Sequence, residues 1–386
     1  MADLEPSRLR ERLIQLTRDL VLIESTDDRA DERARCFQLI RNHLDEVPGL
    51  EIQMLEKNGY ETLLALPRGI ETPQVLLCGH LDVVKHIVPG SYQSTVEDGR
   101  IYGPGAGDMK GQLAIMIELI RHFGRISPDL SLGLAITSDE ERGGESGVKF
   151  LVEEYGLRAG VAIIPDGGSL NDVTVEEKGI LHAKVIASGE AAHAARPWLG
   201  ANALERLMVS LQNIREAFDS FYPDPDGPDA VDPEDTNTHW FPTCSVTILA
   251  TSNDSPNRIP GEAEATIDIR FIPPFTSGEM LAKVEGLLSD GVRVEKIVAA
   301  EPTHLDPKPL FLEITEEVTG APARLVKACG GSDGRFFREE GVPVLLSRPR
   351  VGNLHGRDEW IEIDSMLSYF EICRRYLERV LGEETR

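Results

Sequence analysis

The chain has 386 residues, which exceeds the size at which one hydrophobic core keeps growing, so we expect two domains. Its formal net charge of −25 argues against a nucleic-acid partner, because such binding relies on Lys and Arg to neutralise phosphates. The five cysteines lack CxxC spacing, and no apolar run approaches the roughly 20 residues of a membrane helix. We therefore expect a cytoplasmic protein with no membrane partner.

Helical and strand patterns alternate through the first part of the chain. Apolar residues at a helical period predict helices over 7–24 and 32–46. Short strand patterns and two further helical stretches follow; the strands lie at 51–56, 61–66, 75–78, 132–137 and 161–164, and the helices at 111–124 and 145–155. This alternation predicts a layered α/β sheet, in which ligands collect at strand ends.

The middle of the chain has a separate rhythm. Its predicted elements are a strand at 180–188, a helix at 201–218, strands at 244–250 and 262–271, a helix at 277–288 and a strand at 292–299. The order βαββαβ is that of a compact, ferredoxin-like unit able to close its own core. Residues 219–240 are rich in proline and acid and predict an exposed loop within it.

The α/β pattern resumes after about residue 303. It continues with a helix at 309–319, strands at 324–328 and 343–346 and a terminal helix at 364–381. The βαββαβ unit is therefore predicted to be an insertion, at 179–302, into a domain made of 1–178 and 303–386.

Two side chains of the ligand type follow a predicted buried strand. The apolar run at 75–78 opens onto His80 and Asp82, which point the same way because side chains alternate along an extended chain. A glycine-rich loop at 103–111 then delivers Asp108 just before a helix. Taken alone, Asp108 is more typical of a helix N-cap.

Further ligand types follow other strands or lie in loops. Asp139, Glu140 and Glu141 follow one predicted strand, Asp166 follows the next, and His355 lies in a glycine-flanked loop. Each alone is typical of an exposed turn or a surface histidine. Together, histidines and carboxylates at the strand ends of one sheet form the ligand set that suits Zn²⁺.

The ordered motifs resemble those of the M20 metallopeptidase and deacylase family. They are His80-Leu-Asp82, Gly107-Asp108-Met-Lys-Gly111, Asp139-Glu140-Glu141, Asp166 and His355. The resemblance covers essentially the whole chain, including the inserted unit. It implies a layered α/β zinc-peptidase catalytic domain at 1–178 and 303–386, with the insertion at 179–302 as a lid that pairs in a homodimer.

The resemblance also implies two divalent metal ions, most simply zinc, with Co²⁺ or Mn²⁺ as alternatives. His80 and Asp166 would bind one ion, and Glu141 and His355 would bind the other. Asp108 would bridge both. Two cations about 3.5–4 Å apart can polarise an amide carbonyl and lower the pKa of a water.

Catalytic roles follow from the same resemblance. Glu140 matches the general base, which takes a proton from the water and returns it to the leaving amine. Asp82 would hydrogen-bond the His80 ring and fix its tautomer. Asp139 receives no role of comparable clarity.

Four lid and loop residues complete the implied site. His193 resembles the histidine that crosses the dimer interface to stabilise an oxyanion, although a structural loop histidine is the alternative. Asn257 and Arg270 match residues that grip a substrate carboxylate, a task for which the planar guanidinium is suited. Gly331 lies in a loop that matches the family's glycine-rich substrate loop.

These inferences predict a two-zinc hydrolase that cleaves the amide bond of an N-acyl amino acid or short peptide. Asp at position 166, where many acyl-amino-acid hydrolases of the family have Glu, tilts the expectation slightly toward peptides. One alternative is an aminopeptidase or dipeptidase that requires a free amine. Another is a catalytically silent, metal-stabilised binding protein, against which Glu140 argues because a purely structural site does not need a base.

Overall fold

The computed structural model describes residues 5–86, 90–127, 129–223 and 236–382. The helices in these ranges are α1 (Pro6–Val21), α2 (Ala30–Leu44), α3 (Gly111–Ile126), α4 (Ala203–Asp219), α5 (Ser277–Glu285), α6 (Pro309–Thr319), α7 (Gly334–Glu339) and α8 (Ile363–Gly382). None of these helices is long and apolar enough to cross a membrane.

The strands lie in several sheets. They are β1 (Leu50–Lys57), β2 (Tyr60–Pro67), β3 (Val75–His80), β4 (Thr95–Glu97), β5 (Arg100–Tyr102), β6 (Leu132–Thr137), β7 (Val161–Ile164), β8 (Asp172–Glu177), β9 (Gly179–Ser188), β10 (Ala192–His193), β11 (Thr243–Ala250), β12 (Arg258–Ile259), β13 (Glu262–Phe271), β14 (Val292–Ala300), β15 (Thr303–His304), β16 (Arg324–Ala328), β17 (Val344–Leu346), β18 (Val351–Gly352) and β19 (Trp360–Glu362).

The chain divides into two compact units. The first unit comprises residues 1–175, 305–326 and 332–386, and the second comprises 176–304 and 327–331. The second unit is thus built largely from one continuous stretch in the middle of the chain, and the first from the segments that flank it.

A six-stranded sheet with both faces covered forms the centre of the first unit. Its strand order is β1-β2-β6-β3-β7-β17, and β3 is parallel to both β6 and β7. Along β3, Val75 and Leu77 join the core that contains residues of α1, α2, α3 and α8, whereas Leu76 and Cys78 join a second core. The prediction of a strand buried on both faces is confirmed.

The second unit is an antiparallel sheet with helices on one face. Its strand order is β11-β13-β9-β14, and the elements follow one another as β9, α4, β11, β13, α5 and β14, the βαββαβ order. Buried and partly exposed residues alternate along β13, so that one face packs with α4 and α5 and the other is polar. This alternation is what a one-sided sheet requires.

The predicted helix over 145–155 is wrong in its first part. Residues 145–147 form turns, and a π-helical segment occupies Phe150–Glu154. The carboxylate of Asp139 accepts hydrogen bonds from the backbone N–H of Ser146 (2.7 Å) and Gly147 (3.1 Å), which fixes these residues in the turn. The sequence of this segment has a helical pattern, but hydrogen bonds to the Asp139 carboxylate determine the backbone conformation of its first residues.

Several short elements have no counterpart among the predictions. Strands β4, β5, β18 and β19 have two or three residues each and form their own four-stranded sheet, which is too short per strand to show periodicity. Of the predicted acidic loop at 219–240, residues 224–235 lie outside the described part of the chain.

Candidate metal centre

The ligand-type side chains come from the carboxyl ends of neighbouring parallel strands. His80 is the last residue of β3 and lies opposite Thr137, the last residue of β6, in the parallel register. Glu140 and Glu141 come three and four residues after the end of β6, and Asp166 comes two residues after the end of β7. Parallel strands end at the same edge of a sheet, so the fold collects these residues in one place.

His80 is oriented by the residue two positions further along the chain. Its Nδ1 lies 3.1 Å from the backbone carbonyl oxygen of Asp82 and 3.5 Å from the nearer carboxylate oxygen. The carboxylate of Asp82 in turn accepts hydrogen bonds from the backbone N–H of Glu140 (3.3 Å) and Glu141 (3.0 Å). Asp82 therefore ties two ligand-bearing strand ends together, and the backbone carbonyl is the nearer partner of the ring.

Asp108 lies between two imidazoles. One carboxylate oxygen is 3.3 Å from Nε2 of His80, and the other is 3.3 Å from Nε2 of His355. Asp108 does not cap α3, because the residue at the helix N-cap is Lys110 and no side chain caps that end. The N-cap alternative for Asp108 is thereby removed.

The loop that carries Asp108 is anchored by Glu359. Its carboxylate accepts hydrogen bonds from the backbone N–H of Gly105 (3.1 Å), Gly107 (2.8 Å) and Asp108 (2.9 Å). Gly105 has a positive φ of 77°, and a Cβ at Gly107 would approach the backbone oxygen of Trp360 to 2.9 Å. The glycines of this loop are therefore needed for its conformation and close packing. Sequence analysis assigned no role to Glu359, although its place four residues after His355 was a signal.

Two groups of potential ligands result. His80, Glu140 and Asp166 form one group, and Asp108, Glu141 and His355 form the other; within each group the ligand atoms all lie within 4.8 Å of one another. Nε2 of His355 is 3.2 Å from a carboxylate oxygen of Glu141. Glu140, predicted as the base, lies 3.9 Å from Nε2 of His80.

Burial and mutual repulsion perturb the protonation of these groups. Burial raises the pKa of Asp166 to about 8, and the charge of Asp108 adds to the effect. Burial also raises the pKa of Glu140 well above its usual value. Hydrogen bonds with Asp108 and Glu141 raise the pKa of His355 to about 10. So dense a negative cluster favours binding of cations.

The donor set fits divalent cations. Three buried atoms, Nε2 of His80, one carboxylate oxygen of Asp108 and one of Glu141, make no hydrogen bond of good geometry within the described ranges, although each lies 3.2–3.3 Å from another ligand-type atom of the cluster. Buried polar atoms are nearly always partnered, so three such atoms in one cluster call for an explanation. Imidazole nitrogens and carboxylate oxygens are the ligands that zinc and similar ions take.

Asp139 and Arg348 were not assigned by the sequence. Asp139 holds the turn at 146–147, as described above, and burial with the nearby charge of Asp333 raises its pKa to about 7. Arg348 follows β17 and places a guanidinium nitrogen 3.6 Å from a carboxylate oxygen of Asp166. No motif marked this arginine, because its partner is distant in the sequence.

The predicted lid residues lie in the second unit. His193 is exposed in β10, and its Nδ1 accepts a hydrogen bond from the backbone N–H of Ala195 (3.1 Å). Arg270 lies in β13 and donates to both carboxylate oxygens of Asp268 (2.7 and 3.0 Å). The side-chain oxygen of Asn257 accepts from Ser255, and Gly331 ends the 327–331 segment.

Comparison with known proteins identifies the class. Residues 76–379 match the model of Peptidase family M20/M25/M40. Two relatives are named succinyl-diaminopimelate desuccinylase. The one from Alkalilimnicola ehrlichii is 29% identical over 376 residues, covering 90% of this chain and 94% of the relative. The one from Pseudoalteromonas translucida is 28% identical over 392 residues, covering 96% and 99%.

Solved structures share the fold. An M20 family metallo-carboxypeptidase from Sulfolobus solfataricus has a TM-score of 0.77 at 16% identity, covering 96% of this chain and 99% of that chain. Human carnosine dipeptidase 1 has a TM-score of 0.75 at 16% identity, covering 97% and 96%.

The mixed α/β fold and the family match define a metal-dependent amidohydrolase. The chain belongs to Peptidase family M20/M25/M40, as the motifs predicted.

Proposed function

We propose that the chain hydrolyses the amide bond of an N-acyl amino acid or a short peptide at a centre of two divalent cations, most simply zinc. The position of Asp108 is the observation that carries this proposal. Its two oxygens are equidistant, at 3.3 Å, from the imidazoles of His80 and His355, the arrangement expected of a carboxylate shared by two ions. His80 and Asp166 would complete one side, and Glu141 and His355 the other.

The cations would polarise the substrate carbonyl and lower the pKa of a water so that it reacts near neutral pH. Glu140 lies at the edge of the first group and is mostly buried, with 16% of its side chain exposed. Its raised pKa suits a group that must take a proton from water and return it to the leaving amine. Asp82 holds the backbone N–H groups of both glutamates, so base and ligand keep a fixed spacing.

His193 is proposed to stabilise the oxyanion in the site of a partner copy. Because its Nδ1 accepts the N–H of Ala195, the neutral ring carries its proton on Nε2. An exposed imidazole with an N–H on its outer nitrogen is a suitable oxyanion donor. The trans arrangement itself comes from the family resemblance.

A homodimer through the lid, 179–302, is supported by an exposed apolar surface that we call the β11 surface. It consists of Val246, Ile248 and Leu249 on the edge strand β11, which are 51–60% exposed, and Met208 and Val209 on α4. An exposed apolar edge strand is a liability unless another chain covers it. In a dimer with two-fold symmetry, the β11 surface of each copy would pack against that of the other.

The substrate class is proposed from the relatives and the lid. The curated relatives are named for removal of a succinyl group from diaminopimelate, so an N-acyl amino acid with a carboxylate is our first candidate. Arg270 and Asn257 are proposed to bind that carboxylate. Arg270 already pairs through Nε and one terminal nitrogen with Asp268, and its second terminal nitrogen, which has no hydrogen bond to another described residue, could bind a ligand.

The direct test is a hydrolysis screen with metal analysis. N-succinyl and N-acetyl amino acids and dipeptides are incubated with enzyme loaded with Zn²⁺, Co²⁺ or Mn²⁺. Asp108→Ala should lose both ions and all turnover, whereas Asp172→Ala, which removes a carboxylate paired with Arg324 elsewhere in the first unit, should keep both. One ion fully retained by the Asp108 variant would contradict the shared ligand.

The same screen separates the alternatives. Turnover only of substrates with a free α-amine would favour an aminopeptidase or dipeptidase. Stoichiometric metal without turnover of any substrate would favour a binding protein. A cytoplasmic location is proposed with these assignments, since all five cysteines are free.

A further inference from the structure

Arg348 faces Asp166 because of the register of two parallel strands. Strand β17 pairs with β7 so that Leu346 lies opposite Ile164. Arg348 and Asp166 each follow two residues beyond that pair, and equal offsets from a parallel pair bring them side by side. The ion pair between them, with 3.6 Å from nitrogen to oxygen, is the result.

Among the described residues, the ion-pair partner of the Arg348 side chain is Asp166. Only 16% of the arginine side chain is exposed, and its buried Nε has no hydrogen-bond partner among the described residues. The 3.6 Å separation exceeds the length of a good hydrogen bond. The guanidinium therefore contributes mainly its positive charge, and it contributes it next to a carboxylate proposed as a metal ligand.

Arg348 contacts one of the two ligand groups. It forms an ion pair with Asp166, which belongs to the group of His80, Glu140 and Asp166. No comparable cation contacts Glu141 or His355 in the ion pairs of the described residues. A positive charge beside a ligand repels a bound cation and competes for the ligand's electrons.

We propose that Arg348 is a positioning residue that weakens cation binding at the His80–Asp166 group, so that the two cations of the centre bind with unequal affinity. The inference rests on the two-cation function proposed above. The tight ion belongs to the group of Asp108, Glu141 and His355, and the exchangeable ion belongs to the group beside Arg348.

Calorimetric titration of the metal-free full chain with Zn²⁺ alone tests this assignment. The unmodified chain should show two binding events of different affinity. In Arg348→Gln the weaker event should tighten by roughly 10–100-fold: residues that contact a metal ligand change metal affinity on this scale, and the change is a gain here because a repelling positive charge is removed. Arg348→Lys keeps the charge and should retain the weak event. Arg350→Gln is the matched control, because Arg350 is 55% exposed and pairs with Glu362.

A second background locates the effect. In His355→Ala the high-affinity Zn²⁺ binding event should be lost. Adding Arg348→Gln to this variant should still raise the Zn²⁺ affinity of the remaining event. Unchanged or weaker Zn²⁺ binding in Arg348→Gln overturns the inference. If the metal affinity is unchanged and the KM for anionic substrates is raised, Arg348 is instead a substrate-binding residue. Failure of the unmodified chain to bind two ions would instead overturn the proposed function.

Discussion

The two units use their sheets in opposite ways. In the first unit, β3 is buried on both faces, and the polar side chains that follow the parallel strands lie together at one edge. In the second unit, β13 alternates between buried and partly exposed residues, and the edge strand β11 exposes apolar side chains. The first sheet is covered on both faces and collects ligand-type side chains at its strand ends, whereas in the described part of the second unit one face of the sheet is polar and partly exposed and one edge strand exposes apolar side chains.

The difference shows how each unit can contribute to function. A sheet enclosed by helices holds strand ends rigidly, which suits it to position the proposed ligands His80 and Asp166. A one-sided sheet offers surface, which suits association with another chain. We therefore assign chemistry to the first unit and assembly to the second, and the following changes test that division.

The largest expected effect is in the first unit. Glu140→Gln removes the proposed proton carrier but keeps the size of the side chain and all five proposed bridging and terminal ligands. Turnover should fall by roughly 10²–10⁴-fold, the scale of losing general acid–base catalysis, while metal content stays constant. Glu145→Gln is the control, because Glu145 is 64% exposed and its ion-pair partner among the described residues is Lys149. Near-normal turnover of the Glu140 variant would contradict the proposal that Glu140 is the general base.

The next effect joins the second unit to the chemistry. His193→Ala should bind metal normally and lose about 10²–10³-fold in turnover, the scale of one missing oxyanion donor. Mixed with Glu140→Gln, it forms heterodimers in which one site has an intact Glu140 and receives the partner's intact His193. About a quarter of the sites should then be active after equal mixing, if the dimer is two-fold symmetric. Subunit exchange without recovered turnover would refute the trans arrangement.

A smaller effect is expected on assembly. Val246→Lys with Ile248→Lys places charges on the β11 surface and should raise the dimer dissociation constant by roughly 10–100-fold, because charges would be buried without partners. Sedimentation measures it. Ile297→Lys on the opposite edge strand, β14, is the control, since Ile297 is 52% exposed. An equal rise of the dimer dissociation constant in both variants would show that the β11 surface is not the interface.

The smallest effect concerns pH and the stability of the second unit. Burial raises the pKa of Asp268, but hydrogen bonds from His182 and Arg270 outweigh it and hold that pKa below its usual value. The folded-state pKa is depressed, so this stabilisation is present above about pH 4 and is lost as pH falls through the lower value.

Asp268→Asn should therefore lower the unfolding free energy at pH 7 by about 1–3 kcal/mol. The difference between the unmodified chain and the variant should shrink below about pH 4. Thermal unfolding across this range measures it, with Asp254→Asn as a control because Asp254 is 90% exposed. A difference that does not depend on pH would show that Asp268 acts through packing.

Much of the first unit could be predicted because its signals are local. Strands β6 and β7 have the predicted bounds, and α6 begins and ends where its apolar period does. The prediction of a helix at 145–155 was wrong in its first part, because the backbone of Ser146 and Gly147 donates hydrogen bonds to Asp139. A periodic pattern cannot reveal such a contact. The strand β19 was not predicted, because three residues are too few to show a periodic pattern.

The sequence alone determined which residue types that can bind metal follow the buried strands, because residue type and periodicity are properties of neighbouring residues. It also indicated the inserted βαββαβ unit, whose rhythm is local as well. Only the tertiary structure placed Glu359 beneath the backbone of Asp108, 251 residues away, and Arg348 beside Asp166. These contacts depend on the closing of long loops and on the register of parallel strands, and neither leaves a pattern among adjacent residues.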